Sequence, residues 1–324
     1  MPRVVTSRRL ASLSCLAVLW FVGAPWGEGQ RAAAQQQGLL YMSALDTSGA
    51  PVTDLELGDV SVLVDDIECK VLKMEPVSKP MKLTLMIDNG PANSNALANL
   101  RTAVKNFIEA IPTDVSMEIL TIAPQPRWLE KMTTDHEKLL KAVDRLSPDT
   151  GAGLFFDALV EAGNRVDKEK AKDKNESVPV FVMLASDVGR NSSALDRDFM
   201  RLQQQVLQHG ITIHFIVLNT GGERVGSVAG ALQTQVGLAL TKLSHGRYES
   251  IAAATRLTTL LPELAMQISE SNLRQTHQYK ITYQLPAGKD PKSVQRFSAG
   301  LSRLRIGLTP VLSFDGHMPV GGTQ

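Results

Sequence analysis

Two aspartates in this chain each stand directly after a run of apolar residues. Asp88 follows LTLMI, and Asp187 follows VPVFVMLAS. Because parallel strands present their carboxyl ends at the same edge of a sheet, two such carboxylates come close together when their strands are neighbours. Carboxylate oxygens suit a hard divalent cation such as Mg²⁺, which also keeps several water ligands. The pattern therefore indicates a candidate cation site built from Asp88 and Asp187.

The residues around Asp88 give little support to two other kinds of site. A dinucleotide site needs glycines in the first strand-to-helix turn, whereas DNGPANS has one glycine and Asp88 would repel a phosphate. A hydrolase site lacks a recognisable nucleophile and base, since neither G-x-S-x-G nor H-E-x-x-H occurs and the six histidines are scattered. A carboxylate that caps loop or helix amides is the plain structural interpretation of both aspartates.

The elements that would position these aspartates alternate between strand and helix over residues 81–272. Four apolar runs, LTLMI, EILTI, VFVML and HFIVL, are predicted to be core strands, and PRWLEKMT an edge strand. Between them, apolar residues recur at helical spacing, as in SNALANLRTAVKNFIEAI. Apolar strands separated by helices are typical of a parallel sheet that is covered on both faces. The sequence therefore predicts an α/β, doubly wound domain with a mainly parallel sheet.

The segments on either side of this domain show strand alternation instead of helical spacing. Residues 35–80 are predicted to form a small N-terminal β unit, with alternation in VSVLV. Residues 273–312 are predicted to form a C-terminal β-hairpin, with alternation in HQYKITYQLP. The tail, residues 313–324, is predicted to be disordered.

Residues 1–34 have the three-part layout of a secretory signal peptide. Three arginines precede the apolar run LASLSCLAVLWFV, and an A-x-A pattern at Ala32 and Ala34 predicts cleavage before Gln35. The apolar run is shorter than the roughly 20 residues that a membrane span needs. We therefore expect a periplasmic or extracellular protein with no membrane span after cleavage.

Composition is that of a globular protein and argues against a nucleic-acid partner. Apolar residues make up 43% of the chain, charged residues 21%, and the net charge is +1 at pH 7. Nucleic-acid-binding domains are usually strongly basic, so nothing in the charge suggests a nucleic-acid partner. Cys69 is the one cysteine left after cleavage, so an apolar core must stabilise the exported chain without an intramolecular disulfide.

Six stretches in the same order resemble the von Willebrand factor type A domain, and more closely a group of exported bacterial proteins related to it. They are LDTSGAPVTDLELGDVSVLVDD, LTLMIDNG, TGAGLFFDAL, VFVMLASDVGRNS, LALTKLSHGRYESI and QYKITYQLP. Together they span most of the chain between residues 40 and 310. The resemblance implies the doubly wound fold, a protein-binding role and a metal-ion-dependent adhesion site at the carboxyl edge of the sheet.

The same resemblance places the family's metal ligands on five positions of this chain. Its two aspartates fall on Asp88 and Asp187, its two serines on Gly90 and Ala92, and its threonine on Gly153. All three hydroxyl ligands are thus replaced by residues with no side-chain oxygen, so we expect a degenerate site. We expect no resident cofactor, with weak Mg²⁺ binding as the alternative. An Asp88→Asn variant is expected to be neutral or slightly stabilising, because repulsion from Asp187 is relieved.

These expectations favour an exported, non-enzymatic protein–protein interaction module of the adhesion type. Its protein partner would bind the loops at the carboxyl edge of the sheet, with Asn89, Asn93, Ser94 and Asn191 as contact residues. The alternative is a structural or envelope-associated subunit whose contact surface lies elsewhere on the molecule.

Overall fold

The computed structural model describes residues 36–172, 177–188, 196–219, 228–289, 294–301 and 309–313. The predicted signal peptide lies outside these residues, as does the predicted disordered tail apart from Ser313. The described residues belong to one compact unit that begins at Gln36. None of the described helices is long and apolar enough to cross a bilayer.

The described strands and helices are numbered in chain order. The strands are β1 (Gln37–Leu45), β2 (Val60–Val64), β3 (Ile67–Cys69), β4 (Val71–Val77), β5 (Met81–Ile87), β6 (Ser116–Thr121), β7 (Arg127–Thr133), β8 (Val178–Ser186), β9 (Thr212–Leu218), β10 (Tyr248–Ile251), β11 (Gln278–Gln284), β12 (Phe297–Leu301) and β13 (Thr309–Ser313). The helices are α1 (Leu97–Ala110), α2 (His136–Asp144), α3 (Phe155–Lys172), α4 (Asp196–His209), α5 (Val228–Leu243) and α6 (Leu257–Thr276).

A six-stranded sheet in the order β10-β9-β8-β5-β6-β7 lies at the centre of the domain. Neighbouring strands are parallel from β10 to β6, and β7 pairs antiparallel with β6 at the edge. Counted along the chain within this sheet, the order is the 3-2-1-4-5-6 arrangement of doubly wound folds. The predicted fold class is therefore confirmed, together with the four predicted core strands and the predicted edge strand.

Helices cover both faces of this sheet, which explains why its strands are almost uniformly apolar. One buried cluster joins α1, α2 and α6 to residues such as Leu83 and Leu85. The other joins α3, α4 and α5 to residues such as Met86 and Phe181. Side chains alternate between the two faces of a strand, so β5 contributes to both clusters, and all nine residues of β8 are buried.

The two flanking segments pair with each other in two further sheets, of order β13-β1-β11-β4 and β12-β2-β3. The predicted C-terminal β-hairpin is therefore wrong for the described strands, because β1 lies between β11 and β13, and β12 pairs with β2 instead. Strand β1 is antiparallel to both β11 and β13, with Leu40 opposite Ile281. One apolar cluster includes residues from both flanking segments. We call β1–β4 and β11–β13 together the β module. The domain boundaries predicted from the sequence stay a prediction. The boundary between residues 80 and 81 coincides with the start of β5, whereas the boundary between residues 272 and 273 falls inside α6.

Two short connections join the β module to the amino end of the central sheet. Residues 78–80 lead from β4 into β5, and α6 leads almost directly into β11. A hydrogen bond links the two connections, because the amide of Lys79 donates to the carbonyl of Gln275 over 2.9 Å. The β module therefore joins the end of the sheet opposite Asp88, whose edge is left to the strand-to-helix loops.

Candidate functional site

Both predicted ligand aspartates lie where the sheet reverses its winding, between β5 and β8. From this point the strands follow the chain through β6 to β7 on one side and through β9 to β10 on the other. Asp88 directly follows β5, and Asp187 directly follows β8. In doubly wound sheets, ligands bind at such a switch point, outside the carboxyl ends of the strands. The two aspartates thus lie at neighbouring strand ends, as the sequence indicated.

The carboxylate of Asp88 is buried and accepts three hydrogen bonds from the protein itself. Its residue is only 2% exposed. Oδ1 accepts from the Gly90 amide at 2.9 Å, and Oδ2 accepts from Ser186 twice, from the amide at 3.2 Å and from the hydroxyl at 2.5 Å. Hydrogen bonds to a charged acceptor offset part of the cost of removing that charge from water. Asp88 is therefore a loop-capping carboxylate, the plain structural interpretation of its position.

Ser186 is a site residue that the sequence analysis missed. It is fully buried at the end of β8, directly before Asp187. Its hydroxyl reaches Asp88, which is 98 positions away in the chain. The available signal was a hydroxyl residue closing an otherwise apolar strand beside the second aspartate.

Of the three positions that lack a hydroxyl ligand, residue 153 has no room for a side chain and residue 90 has little. A Cβ at residue 153 would lie 2.7 Å from both Cγ and Oδ1 of Asp88. A Cβ at residue 90 would lie 3.0 Å from Oδ1 of Asp88 and 3.0 Å from the carbonyl oxygen of Gly151. Contacts below 3.0 Å require a shift of the surroundings, and those just above it are tight. The buried carboxylate therefore packs directly against the backbone at Gly153.

Asn89 connects three loops at this edge of the sheet. It is 5% exposed. Its Nδ2 donates to the carbonyl of Ser147 at 3.0 Å, and its Oδ1 accepts from the Ala123 amide at 3.2 Å. Its own carbonyl accepts from the Asp149 amide at 2.9 Å. We call residues 88–96, 122–126 and 147–153 the switch-point loops, and Asn89 holds them in one fixed arrangement.

The other predicted contact residues differ in their surroundings. Asn93 is buried, and its Nδ2 donates to the carbonyl of Asp88 at 2.8 Å. Ser94 is exposed, in the short 3₁₀ turn that precedes α1. Asp187 is half-buried, and its amide donates to the carbonyl of Leu218 at 3.0 Å. Asn191 lies outside the described residues.

An ion pair holds together two of the switch-point loops at their outer surface. The guanidinium of Arg127, the first residue of β7, pairs with the carboxylate of Asp149 and also donates to the carbonyl of Ala123. The hydrogen bond from the Thr150 amide, followed by the pairing with Arg127, lowers the pKa of Asp149 below its ordinary value. This carboxylate is thus engaged within the loops.

Comparison with solved structures finds domains of similar fold in several bacterial proteins. One is a von Willebrand factor type A protein from Catenulispora acidiphila, with 11% identity, a TM-score of 0.47, and coverage of 87% of this chain and 74% of that chain. Another is the von Willebrand factor domain of the type V pili tip protein from Porphyromonas gingivalis, with 14% identity, a TM-score of 0.43, and coverage of 59% and 96%. A third is the pilus adhesin SpaC from Lactobacillus rhamnosus GG, with 12% identity, a TM-score of 0.46, and coverage of 79% and 46%. No protein-family model and no curated protein matches the chain.

The strands themselves decide the fold. Their doubly wound order and the two aspartates at the switch point agree with what the resemblance of the sequence implied. The chain has the von Willebrand factor type A fold. The five positions that the resemblance gives to the metal ligands hold Asp88, Gly90, Ala92, Gly153 and Asp187.

These residues do not fit the magnesium site of the type A fold. Mg²⁺ needs near-octahedral oxygen ligands, but the positions of the three hydroxyls hold glycine or alanine. Both oxygens of Asp88 already accept hydrogen bonds, and backbone packs against the carboxylate at Gly153. Among the residues that the structure describes, no group of three or more histidine, cysteine, aspartate or glutamate side chains is placed to hold a metal ion.

Proposed function

We propose that this protein is an exported, non-enzymatic interaction module of the adhesion type that binds a protein partner without a bound metal ion. Its contact surface is formed by the switch-point loops at the carboxyl edge of the central sheet. Export is supported by the signal-peptide pattern of residues 1–34. The metal-free character is supported by the poor fit of the Asp88 surroundings to Mg²⁺.

The observation that carries this proposal is the fixed arrangement of the switch-point loops around Asn89. A buried side chain that bonds to two other loops limits their motion before a partner arrives. A surface that is already ordered loses less conformational entropy on binding, which favours affinity. Ser94, Gln125 and Thr150 are exposed, one from each loop. The surface therefore offers hydrogen-bonding groups on a rigid support at the place where this class of fold binds ligands.

The histidine inside the sheet, His214 in β9, is a core residue and is not part of the proposed contact surface. His214 is 1% exposed, and its Nδ1 accepts from the Arg247 amide at 3.1 Å. Burial, followed by the charge of Arg247, lowers the pKa of His214 to about 3. This imidazole is therefore neutral at physiological pH and is engaged with the backbone in the core of the fold, where it serves packing.

The proposal is tested by capture of partners from the native envelope fraction on immobilised protein. Gln125→Arg and Thr150→Arg alter two different switch-point loops, and Gln295→Arg, just before β12 of the β module, is a matched exposed control. We expect one captured protein to be retained by the wild type and the control but lost by both loop variants, all of which should keep the wild-type melting temperature. Retention of every captured protein by both loop variants would contradict binding at this edge.

A second candidate function is that of a structural or envelope-associated subunit with its contact surface on α4 and α5. Met200 and Leu207 are 62% and 65% exposed and lie seven residues apart on α4, so they share one face of the helix. Leu238 on the neighbouring α5 is 48% exposed. Exposed apolar residues that share one face, as Met200 and Leu207 do, mark an interaction surface more often than single ones do.

The same capture experiment separates the two functions. Met200→Glu and Leu207→Glu place charges on the α4 face, and Met266→Glu is a matched control on α6, where Met266 is 58% exposed. Loss of the captured protein in both α4 variants, with retention in the Met266→Glu variant and in the two loop variants, would favour the second function over the first.

A further inference from the structure

The ends of β5 and β8 are joined by side-chain bonds at the point where the type A fold implies an ion. Asp88 extends from the end of β5, and the Ser186 amide and hydroxyl extend from the end of β8. A third donor, the Gly90 amide, comes from the loop that follows Asp88 itself. One buried carboxylate thus holds two strand ends and one loop.

We infer that this arrangement is a permanent internal clamp that has taken the place of the ion, and that Gly153 is required by it. We call Asp88, Ser186 and the Gly90 amide the carboxylate clamp. The inference deepens the metal-free part of the proposed function and does not depend on the identity of the partner. It assigns Ser186 and Gly153 a structural role that the degenerate ligand pattern alone does not provide.

The role of Gly153 follows from the closeness of its backbone to the clamp. A Cβ at this position would lie 2.7 Å from Cγ and 3.0 Å from Oδ2 of Asp88. The carboxylate cannot move away freely, because Ser186 and Gly90 hold its two oxygens. A side chain at residue 153 and a clamped carboxylate at residue 88 therefore exclude each other.

This mutual exclusion affects how the ion site could be regained. A threonine at residue 153 would restore one hydroxyl ligand but would also push against Asp88. A serine at residue 90 would restore another, but its Cβ would lie 3.0 Å from both Asp88 Oδ1 and the Gly151 carbonyl oxygen. A hydroxyl ligand added at residue 153 alone should thus weaken the fold before it creates a cation site.

A double-mutant cycle between residues 88 and 153 tests the clamp on the full mature chain. Such a cycle measures the coupling between two sites, apart from the cost of each change. Gly153→Ala should lower the melting temperature by at least about 3 °C, against a change within about 1 °C for Gly58→Ala, because a Cβ at Gly58 meets nothing within 4 Å. In an Asp88→Ala background the cost of Gly153→Ala should largely disappear, because the carboxylate is gone. In an Asp88→Asn background, which keeps the side-chain volume, the cost should persist.

Ser186→Ala provides an independent arm, because it removes one bond of the clamp and leaves Asp88 in place. It should lower the melting temperature equally in EDTA and in millimolar Mg²⁺. Asp88→Ser replaces Asp88→Ala if the latter does not fold. Equal costs of Gly153→Ala with and without the Asp88 carboxylate would overturn the clamp, as would full rescue of Ser186→Ala by Mg²⁺. Partner capture plays no part in these measurements, so the clamp and the proposed function can fail separately.

Discussion

The hydroxyl of Ser186 donates to Oδ2 of Asp88 over 2.5 Å and joins the end of β8 to the end of β5. These two strands are the neighbours at which the sheet changes its winding direction. The bond is fully internal, since Asp88 is 2% exposed and Ser186 is buried. At this edge of the sheet, the first aspartate of the family pattern is therefore bonded by the protein's own groups.

The first prediction concerns Asp88→Asn and reverses what the sequence suggested. Relief of repulsion from Asp187 predicted a neutral or slightly stabilising change. However, both carboxylate oxygens of Asp88 accept hydrogen bonds. An asparagine would replace one of these oxygens by an NH₂ group, which would face the donor groups of Gly90 or of Ser186. A buried donor without an acceptor costs about 1–3 kcal/mol, so we expect a loss of that order in urea unfolding.

Asp144→Asn is the control for this variant. Asp144 pairs with Lys105 at the surface, where its side chain is 62% exposed, and exposed ion pairs contribute little to stability. Its unfolding midpoint should stay close to that of the wild type. An Asp88→Asn protein as stable as this control would show that repulsion between carboxylates outweighs the three hydrogen bonds.

The second prediction concerns Asn89 and the order of the switch-point loops. Asn89→Ala removes the acceptor of the Ala123 amide and the donor to the Ser147 carbonyl. We expect a loss of about 1–3 kcal/mol in the free energy of unfolding. Amide exchange should become faster in residues 122–126 and 147–153. Asn95→Ala, an exposed change in the turn before α1, should leave this exchange unaltered, and unchanged protection in Asn89→Ala would argue against the connecting role.

The third prediction is a pH dependence of the β module. The hydrogen bond from Lys289, followed by those from the amides of Arg296 and Gln295, lowers the pKa of Asp65 to about 2 from an ordinary value of 3.8. Because the pKa is lower in the folded state, its contribution to stability is fully present above about pH 4 and is lost as the pH falls towards 2. The wild type should therefore lose more stability between pH 5 and pH 2 than Asp65→Asn does.

Asp66→Asn is the matched control for this pH dependence. Both aspartates lie in the left-handed region of the turn between β2 and β3, with φ of 50° and 66°, and asparagine tolerates that conformation. Asp66 pairs with Arg296 at the surface, where both side chains are at least 75% exposed. Parallel pH profiles for the wild type and Asp65→Asn would rule out the contribution of Asp65.

The fourth prediction concerns removal of residues 277–324, the segment that follows α6. Strand β1 lies between β11 and β13, and β2 lies between β3 and β12. The truncated chain therefore lacks both neighbours of β1 and one of the two neighbours of β2. We expect proteolysis to cleave residues 36–77 rapidly while residues 81–272 stay protected. Persistent protection of residues 36–77 would show that the N-terminal β unit folds without the C-terminal strands.

The features that could be predicted from the sequence are those encoded by local patterns. Apolar runs separated by helical periodicity were sufficient for β5, β6, β8 and β9, because strands buried on both faces need apolar residues throughout. Asp88 and Asp187 could be placed at one edge, since parallel strands end on the same side. The charged strand PRWLEKMT was recognisable as an edge strand because β7 has one neighbour and is more exposed.

The features that could not be predicted depend on contacts between distant residues. No local pattern shows that Leu40 lies opposite Ile281 or that Ser186 bonds to Asp88. Asn89 looked like a surface residue because asparagine is usually exposed, yet its three bonds bury it between loops. The close approach of Gly153 to a carboxylate likewise depends on the packing of loops that are distant in the sequence.

The most direct test of the carboxylate clamp is a melting experiment on the wild-type protein in EDTA and in millimolar Mg²⁺ or Mn²⁺. An ion that binds the folded state at 100-fold above its Kd stabilises it by about 2.7 kcal/mol, which corresponds to a shift of several degrees for a domain of this size. We predict that the melting temperature is the same in all three buffers. A rise of several degrees with either ion, absent in Asp88→Asn, would show that this edge still binds a cation.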